Sequence, residues 1–519
     1  MKKHTIYLIV LTILYVIVYS YSFDSKLDIN GDNATYLHLA RNLSQGFGFS
    51  DVTAYGVVPT NFYPPGYPAL LSVFMSLGIN NLFFFKLLDG IFLFLSIGGL
   101  FFLVKRITKQ TNLAFVIAAI TIFSPQLMHF SNIVMSEMFY VFCTTVCFVS
   151  LIQYADKSNS DFWKSPYYFI SIISVVIAYH IRAIGSTAIF GLLVFFMFRK
   201  EWKATVVSAV GIVLLLLPWI IRNSLAGLGS RYLGPIMTVN PWRPEVGSIS
   251  SVGEMIAKMI ANFDEILIKG IKEILFPFLT IDYQTPSGFF DVVTCLLILA
   301  VLFYGAWNLG KLKWFFIAYL LANIGLLLLW NGGNGSRYLV TVAPLIFILF
   351  YVGIYFLLVH IFKLKTRVAQ TIPFVFLIMI LLMLAPLQML AKQAKEPYMP
   401  AYENYFSIAK TMNEKAPKNT IVCCRKAELF MFYAPHIFAT NYIYSMDPKA
   451  LILDLINKKV EYVILEQLGY GSTGRYLFPA IQQNMELFTV FWQLPNPDTY
   501  LLKFERRKAI EKFCPNGKI

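Results

Sequence analysis

Long apolar segments recur along most of the chain and are separated by short polar loops. They cover residues 6–19, 82–104, 113–128, 138–154, 167–180, 183–198, 204–221, 289–307, 315–330, 338–360 and 372–390. A membrane-spanning helix needs about 20 mostly apolar residues, and Trp, Tyr and His at the segment ends lengthen the shorter runs. Because a bilayer offers the backbone no water, such segments form helices. The pattern predicts an all-α polytopic membrane protein with about eleven transmembrane helices, and it leaves open a count of about thirteen.

The composition agrees with a membrane protein and argues against a nucleic-acid partner. Hydrophobic residues make up 57% of the 519 residues and charged residues only 14%, whereas soluble domains contain about 25% charged residues. The net charge of +15 forms no single basic face, because many Lys and Arg residues lie in short loops between apolar segments. The 6 Cys residues show no metal-ligand spacing, so neither a zinc site nor a disulfide framework is predicted.

Loops that carry Lys and Arg alternate with loops that carry few. The basic set contains Lys2 and Lys3, Lys105, Arg106 and Lys109, Lys157 and Lys164, Arg199, Lys200 and Lys203, Lys311 and Lys313, and Lys363, Lys365 and Arg367. Because such loops stay in the cytoplasm, we expect a multi-pass protein of the inner (plasma) membrane with a cytoplasmic N-terminus and an extracytoplasmic C-terminus. Residues 1–19 lack a small-residue cleavage site and are expected to form an uncleaved anchor.

The composition changes after the last apolar segment. Charged residues return, and short β-like runs appear at residues 420–424, 460–466 and 500–505. Asp447 and Pro448 are typical of a cap and first residue of a helix, which is expected to reach Asn457. We therefore expect residues 1–391 to form the transmembrane domain and residues 392–519 a small soluble extracytoplasmic α/β domain.

The first extracytoplasmic segment contains a candidate catalytic group. Apolar residues between residues 37 and 43 predict an amphipathic helix that lies along the membrane. Asp32 and Tyr36, four residues apart, share one face of that helix, and Asp28 precedes Asp32 by one turn. The Tyr-Pro-Pro-Gly-Tyr-Pro run at residues 63–68 stiffens the chain where it returns to the membrane.

These residues belong to a series of motifs. Asp32, Tyr36 and Ala40 give the pattern Asp-x-x-x-Tyr-x-x-x-Ala. The later motifs are Pro64-Pro65-Gly66-Tyr67-Pro68, Ser136-Glu137, Arg182-Ala183-Ile184-Gly185, Pro218-Trp219-Ile220-Ile221-Arg222-Asn223 and Ser336-Arg337-Tyr338-Leu339. In this order the chain resembles the GT-C membrane glycosyltransferases, in particular bacterial protein O-mannosyltransferase-like enzymes, lipid A aminoarabinose transferases and rhizobial lipopolysaccharide galacturonic acid transferases. Asn33 departs from the acidic residue that many relatives have after the key Asp.

The resemblance implies transfer of a sugar from a polyprenyl-phosphate-linked donor to a hydroxyl of an envelope glycan, lipid or protein, with inversion, on the outer face of the membrane. Asp32 is the candidate base, and Glu137 and Asp28 are further catalytic candidates. The guanidinium groups of Arg182, Arg222 and Arg337 are candidate phosphate ligands, and Tyr36 and Tyr338 are further substrate-binding candidates. The expected partners are the donor, the acceptor and membrane lipid, with no nucleic acid.

Each candidate also has a structural alternative. In that alternative Asp32 is an ordinary solvated carboxylate, Asp28 interacts with the positive N-terminal end of a helix, and Glu137 caps a helix. Arginines at span ends usually snorkel, but Arg182, Arg222 and Arg337 lie on the extracytoplasmic side, against the positive-inside bias. His129 and His180 are candidate metal ligands or interfacial anchors. No cofactor is expected, and a divalent metal is not indicated.

The membrane-protein pattern is also compatible with two other functions. A transporter or flippase of lipid-linked sugars usually carries ionisable residues at mid-membrane and internal repeats. Here the apolar segments contain few charges, namely Lys86, Asp89 and Asp291, and no repeat is visible. A non-catalytic assembly subunit would not need the Asp32–Tyr36 motif. The sugar, the lipid length and the acceptor depend on the loop of residues 222–288, where Trp242, Arg243 and Tyr283 are candidate contacts.

Overall fold

The computed structural model describes residues 3–157, 161–330, 333 and 335–514. Lys2, which belongs to the predicted cytoplasmic set, lies outside these residues, as do parts of the predicted loop at residues 331–337. The chain forms two compact units. The helical unit contains Met1–Lys26, Asn61–Ile236 and Ser250–Lys395, and the sheet unit contains Leu27–Thr60, Met237–Ile249 and Glu396–Ile519. Two segments that precede residue 391 in the sequence therefore group with the C-terminal part.

The predicted membrane-spanning segments all fall on helices. Among the described residues, 8 helical stretches are long and apolar enough to cross a membrane, namely Lys3–Ser22, Leu82–Thr108, Ser136–Asp156, Trp202–Leu225, Phe289–Trp307, Gly310–Leu329, Gly335–Ile361 and Thr366–Lys415. Only the part of the last stretch up to Lys395 belongs to the helical unit. The other three predicted spans are the pair Thr111–Ile122 and Pro125–Ser131, bent by 63°, and the shorter helices Pro166–Ile181 and Ala183–Phe198. The remaining helices of this unit are Gly66–Ser76, Leu233–Met237, Val252–Asn262, the π-helix Phe263–Gly270 and Ile271–Leu275. The predicted polytopic helical fold is confirmed.

Several of the predicted basic loops meet at the end of helix Ser136–Asp156. Asp156, at the end of its helix, pairs with Arg106 Nε and with Lys311 Nζ, each at 2.8 Å. In the same last turn, the Tyr154 hydroxyl donates to Glu201 Oε2 at 2.7 Å. Glu201 lies in the next basic loop, so this hydrogen bond connects that loop to the same helix end. Three loops that the sequence assigns to one side of the membrane are therefore joined around a single helix end.

Small residues allow two of the membrane helices to pack closely. Helix Phe289–Trp307 lies against helix Ala343–Ile361. A Cβ atom added at Gly305 would lie 1.9 Å from the carbonyl oxygen of Leu349, and the Cβ of a residue at Gly353 would also clash with the facing backbone. Lipid and protein are equally apolar, so helices in a membrane depend on such close contact for their association.

The sheet unit contains seven described strands. They are β1 (Ser50–Thr53), β2 (Gly56–Pro59), β3 (Ile421–Cys423), β4 (Phe438–Thr440), β5 (Tyr462–Leu465), β6 (Phe488–Leu494) and β7 (Thr499–Phe504). β1 and β2 form a hairpin, and the others form a mixed sheet in the order β4-β3-β5-β7-β6. β3 runs parallel to β4 and β5, whereas β7 is antiparallel to β5 and β6. The helices are Asp32–Ser44, Pro400–Lys415, Ala427–Tyr433, Pro448–Asn457, Phe478–Gln482 and Arg506–Phe513.

The local expectations for the C-terminal segment are confirmed. Asp447 Oδ1 accepts a hydrogen bond from Lys449 N at 2.9 Å and caps the helix Pro448–Asn457, whose Leu and Ile side chains contribute to the core. The three predicted runs correspond to β3, β5 and β7. β4 and β6 were not predicted. β4 has only 3 residues, and β6 is interrupted by a register shift between Val490 and Trp492, so neither shows a clear alternation.

The first helix of the sheet unit differs from its prediction. It spans Asp32–Ser44 and starts after Gly31, whose φ of 98° is in the left-handed region that favours glycine. Leu37 and Leu39 are buried, and the helix packs against Ala427–Tyr433. The prediction that its apolar face lies on the membrane is therefore wrong, because that face is covered by protein.

Candidate active site

Two of the predicted site residues in the helical unit form an ion pair. Glu137 lies in the first turn of helix Ser136–Asp156 and its side chain is 0% exposed. Arg182 follows the last residue of helix Pro166–Ile181, and its Nη1 atom lies 2.8 Å from Oε1 of Glu137. The same nitrogen donates to Ser136 Oγ at 2.9 Å. Neither carboxylate oxygen accepts a directed hydrogen bond from the described residues. Glu137 therefore does not cap its helix, and its charge is balanced by Arg182.

A second buried carboxylate lies close to this pair. Asp89 Oδ2 accepts a hydrogen bond from the Tyr67 hydroxyl at 2.6 Å, and Asp89 is near enough to Glu137 to interact with it electrostatically. A Cβ atom added at Gly66 would lie 2.8 Å from the His180 carbonyl, so the Pro-Pro-Gly-Tyr-Pro motif is seated on the helix end that carries Arg182. Tyr67 and Asp89 were not predicted as site residues from the sequence. The sequence signal that could have identified Asp89 is its position as an acidic residue within an apolar segment.

The other two arginines lie on different elements of the same unit. Arg222 is in the last turn of helix Trp202–Leu225, donates from Nη1 to Asn223 Oδ1 at 2.8 Å and lies 5.1 Å from the centre of the Trp219 ring. Arg337 and Tyr338 lie on the 3-10 helix Gly335–Val342, which packs against helix Ser136–Asp156. The convergence of the three guanidinium groups on one cavity stays a prediction.

The remaining predicted residues belong to the sheet unit. Asp32 is the first residue of its helix and is partly buried, and Tyr36, one turn later, is 3% exposed. Asp28 lies outside the helix, where its Oδ1 accepts a hydrogen bond from Asn30 N at 2.8 Å. The side chain of Asn33, fully buried, donates to the Asp28 carbonyl at 2.8 Å. Asn33 thus stabilises the turn that presents Asp32.

Charged residues from the C-terminal segment surround the start of this helix. Burial raises the pKa of Glu428, and the nearby Asp32 carboxylate raises it further, while Lys426 opposes the shift. Burial and Glu428 likewise raise the pKa of Asp51. The Lys426 ammonium donates to the Asn30 carbonyl, directly before the helix. Lys426 and Glu428 were not predicted as neighbours of Asp32, because they are far from it along the chain.

The histidines considered as metal ligands have aromatic neighbours. The ring of His129 lies edge-on to Phe130 at 5.2 Å between centres, and that of His180 lies edge-on to Tyr179 at 5.9 Å. Among the described residues, no three His, Cys, Asp or Glu side chains are grouped so that they could hold a metal ion.

No family model and no curated protein matches the chain significantly. Solved structures do share its fold. ArnT from Cupriavidus metallidurans in the apo state aligns with a TM-score of 0.57 and 11% identity, over 96% of this chain and 98% of that chain. AglB, an archaeal oligosaccharyltransferase from Archaeoglobus fulgidus, aligns with a TM-score of 0.58 and 12% identity, over 89% of this chain and 69% of that chain. Both are GT-C glycosyltransferases.

The chain has the GT-C fold. The motifs quoted above therefore predicted the fold correctly, although identities of this size are too low to carry residue roles. The GT-C structures also include ArnT from Cupriavidus metallidurans bound to undecaprenyl phosphate, with a TM-score of 0.57 and 10% identity over 95% of this chain and 97% of that chain. The AglB structure contains an inhibitory peptide and a dolichol-phosphate.

Proposed function

We propose that the protein is a membrane glycosyltransferase, which moves a hexosyl or pentosyl group from a polyprenyl-phosphate-linked donor to a hydroxyl of an envelope glycan, lipid or protein. The GT-C fold carries this proposal, because the chain aligns with nearly the full length of ArnT. Polyprenyl phosphates occupy two of the similar structures, which supports a donor with the same kind of lipid phosphate.

In the proposed reaction, Asp32 accepts the proton of the acceptor hydroxyl while the hydroxyl oxygen attacks the anomeric carbon. The bond from that carbon to the phosphate oxygen breaks, and the polyprenyl phosphate leaves with the electron pair. The sugar is transferred in one displacement and its anomeric configuration is inverted. Because phosphate is a good leaving group, it needs positive charge more than a proton donor, and Arg182, Arg222 and Arg337 are the proposed source of that charge.

The contacts of the three carboxylates support the choice of Asp32. The Asp28 carboxylate is used by its own turn, and Glu137 is fully buried against Arg182. Asp32 is partly exposed at the start of a helix that protein packs in place. Asp28 and Glu137 are thus better suited to positioning than to proton transfer.

The test is transfer in membranes that contain equal amounts of wild type, Asp32→Asn and Asp498→Asn. Loss of a general base lowers the rate by about 10²–10⁴, so Asp32→Asn should lose nearly all transfer. Asp498 is an exposed carboxylate of the same unit, and its variant should transfer like the wild type. Undiminished transfer by Asp32→Asn would remove Asp32 from the mechanism and direct attention to Asp28 and Glu137.

The orientation of the protein in the membrane is also part of the proposed function. The loops joined around Asp156 are rich in Lys and Arg, and we propose that this end is cytoplasmic, so that the protein lies in the inner membrane with an extracytoplasmic C-terminus. Alkaline phosphatase fused after Ile519 should be active, and a fluorescent protein fused there should stay dark. The reverse result would overturn the orientation.

The charged residues in the apolar segments support an enzyme more than a transporter or flippase. Lys86, which is buried, donates to two backbone carbonyl groups of the chain before the helix Asp32–Ser44. Asp89 is bound by Tyr67, and Asp291 accepts from Lys272. Each of these charges therefore has a structural partner in the helical unit.

A further inference from the structure

Aromatic rings surround an arginine in the sheet unit. The guanidinium carbon of Arg425 lies 4.5 Å from the ring centre of Tyr470, 5.6 Å from that of Tyr444 and 5.8 Å from that of Trp242. We call Trp242, Arg425, Tyr444 and Tyr470 the aromatic–arginine cluster. Trp242 is 58% exposed, so the cluster is a surface and not part of the core.

The rings are held in place by their neighbours. Tyr444 stacks on Tyr476 with 5.3 Å between ring centres, and the Tyr476 hydroxyl donates to the Trp242 carbonyl at 3.2 Å. It also lies 2.8 Å from Glu245 Oε2, which fixes the segment that carries Trp242. On the other side, the hydroxyl groups of Tyr470 and Tyr402 lie 3.1 Å apart. A site built in this way loses little side-chain entropy when a ligand binds.

The arginine has binding capacity left. Its Nε atom donates to Ser472 Oγ at 2.8 Å, and no carboxylate of the described part of the chain lies at ion-pair distance from its guanidinium. A guanidinium has five donors in a planar fork that matches carboxylate and phosphate groups. The exposed Trp242 ring beside it offers a flat apolar face.

Lys426 connects the cluster to the turn that precedes the candidate base. Lys426 follows Arg425, and its ammonium lies 4.9 Å from the centre of the Tyr470 ring. The same ammonium donates to the Asn30 carbonyl and would lie 3.3 Å from a Cβ atom at Gly31, so it contacts the turn before Asp32. A ligand on the cluster is therefore bound within the same unit as the candidate base, next to the turn that leads to it.

We propose that the aromatic–arginine cluster binds the acceptor, and that the acceptor is a saccharide with a carboxylate or phosphate group. This inference rests on the proposed function, because it names the acceptor class of the same transferase. The exposed Trp242 ring stacks against the apolar face of a sugar, and the Arg425 fork binds its anionic group. Aromatic faces favour a sugar ring over an acidic peptide, whose backbone would need hydrogen-bonding partners rather than flat rings.

The test measures binding to the full-length protein in lipid nanodiscs without a donor, by saturation-transfer NMR. The probes are cellobiuronic acid, its neutral counterpart cellobiose, glucose 6-phosphate and tetra-aspartate. The wild type should bind cellobiuronic acid about tenfold or more tightly than cellobiose, the change expected for charge-assisted hydrogen bonds. Glucose 6-phosphate should bind if phosphate is accepted as well as carboxylate, and tetra-aspartate should bind weakly.

Arg425→Gln should bring the affinity for cellobiuronic acid down to that for cellobiose, and Trp242→Ala should weaken both disaccharides. Arg425→Lys keeps the charge without the fork and should fall between the wild type and Arg425→Gln. Arg507, whose side chain is 94% exposed elsewhere in the unit, supplies the matched control Arg507→Gln, which should bind like the wild type.

Equal binding of cellobiuronic acid and cellobiose by the wild type would overturn the inference. So would full binding by folded Arg425→Gln and Arg425→Lys, or binding of tetra-aspartate as tight as that of the saccharides. Asp32→Asn should still bind cellobiuronic acid, because binding needs no proton transfer. Binding that depends on Arg425 in a protein with no transfer activity would contradict the proposed function and leave the saccharide site standing.

Discussion

Removing Arg182 should destabilise the protein more than removing its partner. Arg182→Met leaves the carboxylate of Glu137 fully buried, and no described group donates a hydrogen bond to it. An unpaired buried charge of this kind costs about 3–5 kcal/mol. Glu137→Leu leaves a guanidinium that is 22% exposed and still donates to Ser136, so the loss should be only about 1–3 kcal/mol.

The double variant separates structure from function. Replacement of both partners of a buried pair by apolar residues is often neutral, so Glu137→Leu/Arg182→Met should lose about 1 kcal/mol or less. The double-mutant cycle then gives a coupling energy of about 3 kcal/mol or more. If Arg182 also binds the donor phosphate, the double variant regains stability but not transfer.

The assay is equilibrium unfolding in mixed detergent and SDS micelles, followed by far-ultraviolet circular dichroism, together with transfer in membranes. Additive losses in the double variant would refute the argument, because they would mean that Glu137 does not depend on Arg182. Full transfer by the stable double variant would remove Arg182 from the proposed phosphate-binding set.

Two further predictions concern packing and pH. Gly305→Ala should destabilise the helical unit by roughly 1–3 kcal/mol, since its Cβ would meet the carbonyl of the facing helix. Gly98→Ala, with nothing within 4 Å of the added Cβ, should be nearly neutral in the same SDS titration, and equal losses would contradict the packing argument. Burial, together with Arg41, lowers the pKa of His38 to about 4. Between these two pKa values the unfolded chain binds a proton at His38 that the folded chain does not. The stabilisation from the neutral, buried His38 is therefore fully present above the ordinary His pKa and is lost as pH falls toward about 4. From pH 8 to pH 4, the free energy of unfolding should fall more steeply for the wild type than for His38→Asn. Parallel curves for the two proteins would contradict this prediction.

The sequence was sufficient for the features that depend on neighbouring residues. Apolar length determines a membrane helix, because every backbone group in a bilayer must be bonded within its own segment. All the predicted spans coincide with helices for this reason, including the helix that bends at Pro125. The cap at Asp447 was likewise readable, since cap and first helical residue are adjacent. The ordered motifs predicted the GT-C fold, because each occupies a fixed place between two spans.

The partners of the candidate site residues were decided by the tertiary structure. An apolar helix face indicates that either lipid or protein covers it, and the two are equally apolar. The sequence therefore could not show that the helix starting at Asp32 packs on Ala427–Tyr433. Arginines at span ends look alike in the sequence, and only the fold pairs Arg182 with Glu137. Trp242 and Arg425 are far apart along the chain and meet because separate segments join the same unit. Contacts between distant segments depend on the whole packing of the chain, which no local pattern records.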